Sequence, residues 1–65
     1  MKLEVEQEAD GRWIAEAPAL PGVIGYGATR DEAVTKVEAL ALLVMAERLE
    51  NGERAPELDR LFAAA

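Results

Sequence analysis

Cysteine, histidine and serine are all missing from this 65-residue chain. Without cysteine there is no disulfide framework, no thiolate nucleophile and no Cys-rich zinc site. Without histidine the commonest general base and the commonest metal ligand are gone. Without serine the aliphatic hydroxyls are Thr29 and Thr35, and neither has a base beside it in the sequence. Positive charge is scarce as well, with seven Lys and Arg against thirteen Asp and Glu, a net charge of −6. Nucleic-acid binding draws its affinity from cations that neutralise phosphates, so direct nucleic-acid recognition is not expected. The longest apolar run, Ala39 to Ala46, is far short of the ~20 residues a membrane span needs. The opening "MKLEVEQEAD" has no apolar stretch of the kind a secretory leader carries. These absences point to a cytoplasmic protein that is not an enzyme and holds no cofactor or metal.

A chain of this size forms one domain and buries only about 60 % of its unfolded surface. Small scaffolds compensate with disulfides, a metal or self-association. The first two lack their residues here, so a homo-oligomer, a dimer or larger, is expected. An acidic surface also suits a basic protein partner, because opposite potentials steer encounter. The plainer reading is that net charge keeps a small protein dissolved.

Apolar and acidic residues alternate from Leu3 to Gln7, the period of a half-buried strand. A second run, Arg12 to Ala17, alternates in the same way, and Asp10-Gly11 between them marks a hairpin. The loop length sets which residues share a face. A two-residue turn would put Leu3 and Val5 beside Glu16, and the glutamates beside Trp13. A three-residue loop, Ala9-Asp10-Gly11, pairs 8 with 12, 6 with 14 and 4 with 16. Leu3, Val5, Trp13, Ala15 and Ala17 then form one apolar face, opposite Glu4, Glu6, Glu8, Arg12, Ile14 and Glu16. A slip of one residue inverts every side chain, so the better-separated pattern is predicted. That loop also wants a left-handed glycine at its end, and Gly11 is there.

Pro18 and Pro21 cannot donate to a ladder, so Pro18-Ala19-Leu20-Pro21-Gly22 reads as a turn. Val23 to Ala28 reads as a third strand, which completes an antiparallel meander. Thr29-Arg30-Asp31-Glu32 fits a capping box, with the Thr29 hydroxyl accepting from the amide of residue 32 and Glu32 reaching back to the amide of Thr29. A helix of about 20 residues follows, roughly 30 Å long, and Asn51-Gly52 stops it. The expected fold class is therefore α+β: three antiparallel strands packed on one long helix. Residues 1–55 form the β-β-β-α domain, and residues 56–65 form a short tail, helical or irregular. Ala63-Ala64-Ala65 is expected to fray.

The first half of the helix puts Ala33, Val37, Leu40 and Val44 on one stripe. Its middle, "ALALLVMAERL", is apolar nearly all the way round and must be covered all round. Three strands cover one side. Leu42, Leu43 and Met45 are therefore predicted to form a second, self-associating contact face. The competing reading has "PELDRLF" fold back over them, with Leu58, Leu61 and Phe62 at helical spacing behind Pro56.

Gly25-Tyr26-Gly27-Ala28-Thr29-Arg30 sits between strand and helix, as a dinucleotide-binding loop would. It has Arg30 where the third glycine belongs, and no Walker lysine follows. Asp31 and Glu32 would repel a pyrophosphate at the helix entrance. The glycines read better as places where the third strand bends and approaches the helix closely. Glu4, Glu6, Glu8 and Glu16 form an acidic row, read as the partner-binding surface. On an exposed sheet face nothing raises a carboxyl pKa for acid–base work, so catalysis is not expected of them. A solvated row that discourages edge pairing is the bland alternative.

Pro18-Ala19-Leu20-Pro21-Gly22, then Gly27, Thr29, Glu32-Ala33 and Ala39, resembles the signature of the HicB-like antitoxin family: P-x-L-P-G, a short strand, G-x-T, then E-A opening a long helix. Asp10-Gly11-Arg12-Trp13-Ile14-Ala15-Glu16 is similar to that family's second strand, and "NGERAPE" to its tail. The match covers roughly residues 3 to 57. The resemblance implies a degraded RNase H-like fold without that fold's catalytic carboxylates. It also implies a domain that masks HicA, a small basic mRNA-cleaving toxin, in a toxin–antitoxin system. Family members commonly associate. Full antitoxins carry a C-terminal DNA-binding module; about thirteen residues follow Gly52 here, so operator binding is not expected. Residue 23, often Cys in the family, is Val. A self-assembling orphan domain with no toxin partner is the alternative.

Overall fold

Period-two alternation, two glycine turns and one strong helix cap resolve into five elements: β1 (Glu4–Gln7), β2 (Trp13–Glu16), β3 (Ile24–Gly27), α1 (Arg30–Glu50) and α2 (Pro56–Leu61). The structure, a computed structural model, describes residues 1–54 and 56–62, without the side chains of residues 57 and 61. The expected fraying of the terminal alanines lies outside the described residues. The strands form one antiparallel sheet in the order β1-β2-β3, and α1 lies across one face of it.

The hairpin has the register predicted from the separation of its faces. Glu4 lies opposite Glu16, Val5 opposite Ala15, Glu6 opposite Ile14 and Gln7 opposite Trp13. The Glu8 amide donates to the Arg12 carbonyl at 2.7 Å, and Gly11 closes the loop with a φ of 93° that other residues rarely adopt. At the next corner the Leu20 amide donates to the Ala17 carbonyl and the Val23 amide to the Leu20 carbonyl, at 2.9 and 3.0 Å. These bonds turn Leu20 and Val23 inward, where both are buried.

Gly25 and Gly27 face the helix. A β-carbon on Gly27 would stand 2.6 Å from the Ala33 backbone nitrogen, and one on Gly25 would stand 3.0 Å from Val37 Cγ2. Ala15 and Ala17 are fully buried on the same side, so α1 rests on a floor of hydrogens and methyl groups. The expected close approach is therefore present.

Thr29 caps α1: its Oγ1 accepts from the Glu32 amide at 3.1 Å. The return bond differs from the expectation. Glu32 Oε2 accepts from the Ala28 amide at 2.8 Å, one residue before Thr29. At the other end the Glu53 amide donates to the Arg48 carbonyl and the Gly52 amide to the Leu49 carbonyl. With Gly52 at a φ of 78°, this is a Schellman stop.

The buried stripe of α1 is Ala33, Val37, Ala41 and Met45, rotated from the expected Ala33, Val37, Leu40 and Val44. Leu40 and Val44 are half-buried at its border. The two stripes share Ala33 and Val37 over the glycines and diverge beyond them, where Ala41 and Met45 turn inward. One consequence corrects the predicted second face: Met45 is 6 % exposed and belongs to the core, whereas Leu42 and Leu43 are 58 % and 68 % exposed. The tail supplies part of the cover. Leu58 of α2 is 3 % exposed and joins the core, while Phe62 is open to solvent and Leu61 has no described side chain. Among the described residues, no helix is long and apolar enough to cross a membrane.

Candidate protein-docking face

The sheet face turned away from α1 collects the even-numbered residues of all three strands. Three cross-strand rows follow from the register: Glu4–Glu16–Ile24, then Glu6–Ile14–Tyr26, then Glu8 beside Arg12. Carboxylates therefore line the β1 side, and apolar groups the β3 side. Glu4 and Glu6 are exposed, while Glu8 and Glu16 are half-buried, less open than an exposed row implies. Ile24 and Tyr26 are exposed at 39 % and 46 %, with Ile14 half-buried between the two sides.

The four predicted glutamates thus share one face, and Glu4 stands directly opposite Glu16. Like charges paired this way destabilise a sheet by a few tenths to about 1 kcal/mol. A shallow depression on this face is lined by Glu4, Glu6, Ile14 and Glu16. Among the described residues no group of three or more acidic side chains is placed to hold a metal ion.

Sequence reasoning missed Ile24 and the outward setting of Tyr26. The signal was available: once Gly25 and Gly27 are assigned to the helix side, alternation sends residues 24 and 26 outward. Arg12 lies over the Tyr26 ring at 5.6 Å and bonds Asp10 at 2.8 Å, so the one cation in these rows is already engaged at the hairpin end. Asp10 also accepts from the Arg12 amide at 3.0 Å. That backbone bond first, and the guanidinium second, hold its carboxyl below the ordinary value of 3.8.

Gly25 and Gly27 are strand residues without positive φ, and Thr29 and Glu32 already occupy amides at the helix entrance.

Comparison of the chain with protein-family models, with curated proteins and with solved structures finds no match.

Proposed function

We propose that this chain is a non-catalytic protein-binding module of the HicB antitoxin type, whose outer sheet face docks a small basic protein, a HicA-type mRNA-cleaving toxin. One observation carries the reading: an open sheet face with an apolar strip, Ile14, Ile24 and Tyr26, bordered by Glu4, Glu6, Glu8 and Glu16. Protein interfaces have this anatomy, an apolar and aromatic centre with a polar rim. The rim has one sign, so it suits a partner of the other. A basic surface would also relieve the repulsion between Glu4 and Glu16, which the free chain bears. The chain's lack of His, Cys and Ser and its net charge of −6 agree with masking an RNase rather than with cleaving or binding RNA.

The test is RNA cleavage by the small basic product of the adjacent reading frame, with and without this chain. The chain is expected to stop cleavage. Glu6→Lys is expected to weaken inhibition about tenfold at low salt, and Ile14→Asp more strongly, because it puts a charge in the apolar centre. Undiminished cleavage, together with no heat of binding in calorimetry, would remove the reading.

A further inference from the structure

The side of α1 that points away from the sheet carries Ala39, Leu42, Leu43 and Ala46, all four exposed. Ala39, Leu43 and Ala46 follow the 4-3 spacing of a coiled-coil seam. We infer that this stripe is a homodimer interface, in which α1 packs antiparallel against α1 of a second copy about a two-fold axis near Leu42 and Leu43. Three features of the molecule commit the stripe to that occupant.

The first is area. The chain exposes 4738 Å² at a mass of 7.0 kDa. A globular monomer of that mass exposes about 4000 Å². The excess, roughly 700 Å², approaches the ~800 Å² that each partner contributes to a standard interface. α1 has 21 residues and spans about 31 Å, while strands of four residues span about 13 Å. The helix overhangs its sheet, and the radius of gyration is 13.3 Å against about 11 Å for a compact chain of this length.

The second is shape. Leucine flanked by alanine one turn away on each side is self-complementary in an antiparallel pair, where each Leu43 meets the small residues of the other helix. The third is charge. Lys36 precedes the seam, and Glu47 and Glu50 follow it. An antiparallel crossing brings Lys36 of one copy to the glutamates of the other, twice. A parallel crossing would stack glutamate on glutamate. The stripe lies opposite the sheet, so both outer sheet faces stay open in such a dimer. The contact between the two helices is independent of what those faces bind.

Sedimentation of the full chain from micromolar to millimolar concentration tests the inference. A species of twice 7.0 kDa is expected. Leu43→Glu should raise the dimer dissociation constant about a hundredfold or more, while Ile24→Glu on the sheet leaves it unchanged. Lys36→Glu should weaken the dimer, and the double exchange Lys36→Glu with Glu50→Lys should restore it. That charge cycle also decides the matter if Leu43→Glu fails to fold. A wild type that stays at 7.0 kDa throughout overturns the dimer. So does a dimer broken by Ile24→Glu but not by Leu43→Glu. A double exchange no tighter than Lys36→Glu alone overturns the antiparallel arrangement.

Discussion

The two faces of the sheet are built from alternate residues of the same twelve strand positions, yet they obey opposite rules. The inner face carries Val5, Gln7, Trp13, Ala15, Gly25 and Gly27, and at Ala15, Gly25 and Gly27, under the helix, what matters is how little each residue adds. The outer face carries Glu4, Glu6, Ile14, Glu16, Ile24 and Tyr26, and what matters there is what each presents to solvent. The inner face is constrained by the helix it touches. Among the described residues no element packs on the outer face, so helix packing does not call for its like-charged Glu4–Glu16 pair or its exposed aromatic. The contrast teaches that the demands of folding and those of the proposed docking role fall on alternate residues along one strand.

The sharpest way to break the inner face is Gly27→Ala. Its methyl group would meet the helix backbone at 2.6 Å, so α1 must lift. A loss of about 3 kcal/mol or more is expected, read by chemical denaturation at a fixed protein concentration. Gly25→Ala should cost clearly less, because the nearest atom is the Val37 side chain, which can adjust. Removing the cap with Thr29→Ala tests how much the helix depends on its own start rather than on the floor beneath it. A loss of about 1 kcal/mol is expected in the same measurement.

Outer-face changes should reverse the sign. Glu16→Thr takes away a like-charge pair, so a gain of a few tenths to about 1 kcal/mol is expected, together with weaker inhibition of a basic toxin. A loss of stability instead would show that the outer face also serves the fold. The smallest effect belongs to Asp10 at the hairpin end. Its folded carboxyl lies below 3.8, so the unfolded chain binds the proton more readily. Its contribution is present above the unfolded value and disappears as pH falls through the lowered folded one. An NMR titration should place its midpoint below 3.8. Arg12→Ala should recover part of the shift, because the backbone bond remains.

Much of the fold was legible because it rests on local physics. Gly11 could be read as a left-handed loop end, Pro18 to Gly22 as a corner and Thr29 as a cap, since each depends on a handful of adjacent residues. The hairpin register was legible for a related reason, because only one loop length separates glutamates from apolar residues. The buried stripe of α1 was not legible. "ALALLVMAERL" offers apolar residues in nearly every direction, so several rotations about the helix axis bury similar area. The pattern therefore points Met45 outward, and the outward setting of Ile24 and Tyr26 is legible only once Gly25 and Gly27 are placed against the helix.

By itself, the order of residues determined the elements, their turns and caps, and the grouping of four glutamates on one sheet face. These follow from backbone sterics and from the period of two, which act between near neighbours. Only the tertiary structure decided which way α1 turns, that Met45 and Leu58 lie inside, and that Ile24 and Tyr26 lie outside. Those outcomes depend on how closely two distant segments can approach, and that distance is set by atoms glycine does not have.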